Sequence, residues 1–176
     1  MNIFALSRCA QTSAEWLCDK HVVKMILETG QMLSTAHHVL ESEHLGKYKY
    51  YEPAYVNHPC TVWARTSHAN YIWLYEHFER LCQLYEEIYN RTHKTWVKLH
   101  IACRMSPFKL TGKFKTPDPE VAQLTEFPQC MPDQYKDTDP HVAYRRYYIG
   151  EKLHFAEYKS RKIPAWITNK DVYLDN

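Results

Sequence analysis

His21 and Glu28 stand seven residues apart in an apolar stretch that opens with Asp19-Lys20-His21. Seven residues make two helical turns, so on one helix these side chains fall within about 20° of one face and about 10 Å apart along the axis. One helix face can therefore present both groups to one ligand. The plainer reading makes both residues the polar edge of a core helix, with Glu28 paired to Lys24 four residues back. Further on, Asn57-His58-Pro59 precede a second amphipathic stretch, and Tyr144-Arg145-Arg146-Tyr147-Tyr148 interleaves guanidinium groups with aromatic rings. Arginines take phosphates bidentately and tyrosine faces stack on bases, so this segment suits nucleic acid. An amphipathic helix with tyrosines turned inward and arginines solvated accounts for it equally well.

Other chemistries find less support. The chain has 11 His, among them His37-His38 and His58. Neighbouring helical histidines point about 100° apart and do not share an ion readily, and no HExxH or CxxC spacing occurs. The expectation is therefore no metal and no cofactor. Lys24 is a second candidate amine nucleophile, but a solvated lysine is mostly protonated near neutrality. Cys18 and Cys60 each stand near a histidine in the sequence, yet buried cysteine is common and usually inert.

These residues need a scaffold, and the composition describes one. A chain of 176 residues with 45% hydrophobic and 14% aromatic content is long enough for one real core and too apolar for disorder. With only 4 Gly and long stripes at helical spacing, the fold class is mainly α: a single helical domain over 1–176 with long ordered loops. Thr12-Ser13-Ala14-Glu15 has the form of a capping box, which predicts a first helix running to about Glu41 with Gly30 in its interior. A tyrosine-rich connection over 42–57 leads to a second helix that opens at Pro59 and is interrupted near Ser67. A short third helix is predicted over 96–103, an ordered proline-punctuated loop over 107–140, and a last helix over 142–159.

The 6 Cys are dispersed and read as reduced thiols of an intracellular protein. No signal peptide and no membrane span is expected. Net charge is +2, but it is uneven, with basic runs over 104–115 and 141–170 flanking an acidic stretch over 118–139. Such a field fits an anionic ligand approaching one side.

Residues 12–95 resemble the pyrimidine-dimer DNA glycosylases, the family that includes bacteriophage endonuclease V. The resemblance rests on Asp19, His21 and Glu28, then Asn57-His58-Pro59 and Trp63, then the helix through Leu81, Glu86, Tyr89 and Arg91 to His93-Lys94. The run Cys18-Asp19-Lys20-His21-Val22-Val23-Lys24-Met25 is also similar to a set of phage proteins. The resemblance implies a mostly helical glycosylase with associated abasic-site lyase activity. Its N-terminal α-amine, here that of Met1, attacks the sugar of a damaged or modified pyrimidine nucleotide and forms an imine. Glu28 stabilises charge and shuttles protons in this scheme, and His21 positions glutamate or substrate. A terminal amine suits the step because it gives up its proton more readily than a lysine.

The nucleic-acid-binding candidates are Arg8, Lys24, His58, Arg65, Tyr144, Arg145 and Arg146, with DNA or a nucleotide as the partner. Leu27 and Gln31 occupy positions where the family carries phosphate-binding arginines. This departure keeps a second class open: a phage protein that binds a nucleotide or nucleic-acid-derived signal without turning it over. The sequence leaves the oligomeric state open.

Overall fold

The computed structural model describes residues 1–41, 45, 48–111 and 123–169. Its described residues fold mainly as α-helix with no strand. The helices are α1 (Ala10–Glu15), α2 (Asp19–Leu40), α3 (Pro59–Trp63), α4 (His68–Tyr89), α5 (Lys94–Cys103), α6 (Phe108–Thr111), α7 (Pro140–Glu151) and α8 (Ala165–Thr168). The long helices α2 and α4 pack on each other at the centre. Met25, Ile26, Met32 and Leu33 of α2 and Tyr71, Leu74, Phe78 and Leu81 of α4 are all fully buried. Their spacings of three, four and seven put them on one stripe of each helix, which is what a helix needs to bury one face. α1 lies against α4, while α3 and α5 lie against α2. No helix among the described residues is long and apolar enough to cross a membrane.

The single first helix predicted from the sequence is two helices, with a break at Trp16-Leu17-Cys18. Distant residues supply the hydrogen bonds that a break leaves unmade. The Cys18 amide donates to the Tyr148 hydroxyl at 2.8 Å, and the Asp19 amide donates to the Glu157 carbonyl at 2.9 Å. Asp19, at the first position of α2, is buried, accepts from the Lys159 amide at 3.0 Å and pairs with Arg161. A carboxylate there also complements the positive end of the helix dipole.

The expected capping box of Thr12 and Glu15 is absent, because α1 already begins at Ala10 and Glu15 pairs with Arg80, while Ser13, inside the helix, serves the start of the chain. Its hydroxyl donates to Phe4 O at 3.2 Å and accepts from Leu6 N at 3.0 Å, which ties α1 to the start of the chain. The break expected near Ser67 is present, with the Ser67 hydroxyl capping α4 through the Asn70 amide. The last long helix ends at Glu151, short of the expected 159, and a 3-10 turn at Leu153–Phe155 follows. Part of the expected connection over 42–57 and of the proline-rich loop over 107–140 lies outside the described residues.

Gly30 marks the crossing of α2 and α5. A Cβ there would fall 2.7 Å from Thr95 Cγ2 and 2.9 Å from Leu99 Cδ1. Thr95 has little freedom to yield, since its hydroxyl is hydrogen bonded to that of Tyr51 at 3.0 Å. Gly30→Ala therefore sets helix propensity, which favours Ala by about 1 kcal/mol, against overpacking, which costs about 1–3 kcal/mol. We expect overpacking to win and the urea midpoint to fall; a variant as stable as the parent or more stable would contradict a close crossing.

Candidate active site

The first residues of the chain run through the protein rather than over it. Ile3, Phe4, Ala5 and Leu6 are buried, and Phe4 takes a left-handed backbone with φ 51°. Such a conformation is uncommon for a bulky residue and persists only where its surroundings enforce it. Asn2 supplies the local brace: its side-chain oxygen accepts from the amides of Ile3 at 2.7 Å and Phe4 at 3.1 Å, and its Nδ2 donates to Cys130 O at 2.9 Å. Buried and braced in this way, the segment leaves its first nitrogen little choice of position.

That position is beside Glu28. The Met1 amine lies 3.7 Å from Glu28 Oε2, and the Asn2 amide donates to the same oxygen at 2.9 Å. The other oxygen, Oε1, faces Lys24 Nζ at 3.5 Å. The Met1 side chain is 1% exposed although the residue as a whole is only half-buried, so its accessible surface belongs to the main chain. The carboxylate is 14% exposed, enough to meet a ligand while remaining partly desolvated. It opens onto a cleft of about 480 Å³ lined by Met1, by Val23, Lys24, Leu27, Glu28 and Gln31 of α2, and by Tyr55 and His93. This volume lies within the range of small-ligand sites and can take an extruded nucleotide.

The structure separates His21 from Glu28. His21 is 6% exposed, stacks on Phe4 with ring centroids 4.7 Å apart, and meets the edges of Tyr148 at 5.3 Å and Phe155 at 5.6 Å. It does not line the cleft, and its Nδ1 has no hydrogen-bond partner. Burial first, then Lys24 and Lys152, push its pKa down to about 4, so the ring is neutral. What His21 touches is the buried start of the chain.

Of the other expected binding residues, Lys24 lines the cleft. His58 is within electrostatic reach of it: burial and then the Met1 ammonium disfavour its charged form, and Glu28 favours it. The arginines lie elsewhere. Arg8 is exposed beside a separate cleft with Phe127 and His141, and Arg65 donates to Thr61 O at 2.8 Å. Arg145 donates to Leu6 O at 2.9 Å and covers the Trp16 ring, and Arg146 pairs with Asp137 at 2.8 Å.

Tyr144 corrects the expectation of a stacking surface. It is fully buried and its hydroxyl donates to Pro128 O at 2.6 Å, so no ring face is left for a base. Tyr55 and His93 had no role assigned on sequence grounds, yet both line the cleft. Tyr55 is 69% exposed with φ 48°, and His93 caps α5 by accepting from the Thr95 amide at 3.1 Å. The tyrosine-rich connection and the His93-Lys94 pair were the signals that pointed to them.

The family model described as pyrimidine dimer DNA glycosylase matches residues 1–97. The match takes in Met1, Glu28, His58 and His93; Cys130, Tyr144 and Tyr148 fall outside it. No curated protein and no solved structure matches the chain.

Two buried histidines bear on acid stability. Burial lowers His77 to about 4 as it does His21, and unfolded histidines protonate near about 6.5. Between these values the unfolded chain binds more protons, so stability is full above about pH 6.5 and is lost as pH falls towards 4. His21→Phe keeps a stacking ring and removes one titrating group. Its loss of unfolding free energy between pH 7 and 4 should be shallower than the parent's in urea titrations; parallel curves would show that His21 is not held neutral.

Proposed function

The chain belongs to the pyrimidine dimer DNA glycosylase family, and on that premise we propose that it excises a damaged or modified pyrimidine from DNA and cleaves the abasic site through an imine on the Met1 amine. The observation that carries this reading is the Met1 amine 3.7 Å from a partly desolvated carboxylate at the mouth of a nucleotide-sized cleft.

In the proposed sequence the neutral amine attacks C1′ of the extruded nucleotide. The glycosidic bond breaks, and its electron pair leaves with the base, which takes up a proton. Loss of the amine proton and opening of the sugar give a protonated imine, and removal of a proton from C2′ expels the 3′ phosphate. Glu28 balances the cationic charge on the sugar and then on the imine, and it relays the protons. Its hydrogen bond from the Asn2 amide keeps it aimed while the substrate changes charge. His21 is a positioning residue: stacked on Phe4, it holds the segment that presents the amine. Lys24 supplies a cation for a flanking phosphate.

A second reading has a specific observation in its favour. Among the described residues lining the cleft, Lys24 is the one lysine or arginine, because Leu27 and Gln31 fill neighbouring positions. A protein that captures a nucleotide without turning it over needs no more than that.

Glu28→Gln separates the two. Gln keeps an acceptor for the Asn2 amide and loses the charge, so base release and strand nicking on duplex DNA carrying a pyrimidine dimer should fall by about 10²-fold or more, with the melting temperature nearly unchanged. Parent protein that binds this DNA and abasic duplexes but releases no base would favour capture. Loss of stability in step with loss of activity would make Glu28 a structural residue.

A further inference from the structure

His58, Cys60 and Cys130 form a cluster that the proposed chemistry does not use. One ligand atom from each lies within 4.8 Å of the others. Cys60 is buried at the start of α3, while His58 and Cys130 are half-buried. We infer that these three side chains bind one thiophilic divalent cation, with zinc the best fit, and leave a fourth position open to water.

The distances fit a metal better than a disulfide. The two sulfurs are 3.5 Å apart. A disulfide needs about 2.05 Å, whereas two thiolates at about 2.3 Å from a tetrahedral ion are separated by about 3.8 Å. Opening the pair by a few tenths of an ångström suffices, and the imidazole moves in by about 1 Å. Donor chemistry narrows the choice of ion: thiolate and imidazole select zinc over magnesium or calcium, which take oxygen. His58 already holds a lone pair in place, since its Nδ1 accepts the Cys60 amide at 3.2 Å, a long bond that an ion can displace.

The frame around the cluster is stiff. The Cys130 carbonyl accepts from Asn2 Nδ2 at 2.9 Å, and the Tyr144 hydroxyl joins Pro128 O at 2.6 Å with the Cys130 amide at 3.5 Å from it. Preorganised ligands of this kind lose little freedom on binding. Both thiols release their protons to solvent as they coordinate. The inference revises the sequence expectation of no metal, which rested on absent short motifs; Cys130 joins its partners across 70 residues of chain. It stands independently of the proposed glycosylase activity.

The test uses the full chain, stripped with chelator under reductant and titrated with Co²⁺ as a spectroscopic stand-in. One equivalent should saturate thiolate-to-cobalt charge-transfer and tetrahedral ligand-field bands, and Zn²⁺ should bleach them and raise the melting temperature. His58→Ala and Cys130→Ser should each weaken binding by about 10-fold or more, while Cys9→Ser, at an exposed thiol away from the cluster, should leave it unchanged. The unmodified protein's own response to zinc keeps the proposal testable if a variant fails to fold. Three results would overturn it: folded parent protein with no cobalt spectrum, a spectrum that survives both variants, or a Cys60–Cys130 disulfide found by mass spectrometry in protein isolated under reductant.

Discussion

The position of one nitrogen organises this structure. A chain terminus is ordinarily the least constrained part of a protein, yet here Ile3–Leu6 are buried against α1, α2 and α7 and the Asn2 side chain fixes the turn that leads out of them. Because the segment is committed to the core, the amine emerges at one place, against Glu28. The carboxylate is held in turn by the Asn2 amide and faced by Lys24, so amine and carboxylate are placed by the same few residues. Under the proposed chemistry, groups placed in this way need no reorganisation when charge develops.

The supports of that arrangement come from the far end of the chain. Tyr148 and Glu157 take the amides at the break between α1 and α2, and Arg161 answers the buried charge of Asp19. A buried ion pair adds little net stability, but losing one partner strands the other at a cost of about 3–5 kcal/mol. Cys130 holds Asn2 from the loop that precedes α7. Cys130, Tyr148, Glu157 and Arg161, outside the family match, therefore brace a site built from residues within it.

Much of this was legible in the sequence, and the failures have physical causes. The helical class followed from the periodicity, the break near Ser67 from the interruption of the second stripe, and the candidate pairing of Met1 with Glu28 from the family resemblance. The break at Trp16–Cys18 was hidden because its hydrogen-bond partners lie some 130 residues away. The shared helix face of His21 and Glu28 was sound arithmetic, but the start of the chain covers one and stops short of the other. Tyr144 and Tyr148 turned inward because a small helical core needs large rings. Arg145 and Arg146 were drawn to a carbonyl, a tryptophan face and Asp137 in the fold, partners that spacing does not reveal. Three ligands for one ion, two of them close in sequence and one remote, form a pattern that only the packed chain displays.

The most direct measurement of the central claim is reductive trapping followed by peptide mapping. The protein is incubated with abasic-site DNA and borohydride, and the crosslinked peptide is sequenced by mass spectrometry. An adduct on the α-nitrogen of Met1, lost when that nitrogen is blocked beforehand, is the predicted result. An adduct on Lys24, or none while the DNA remains bound, would contradict it.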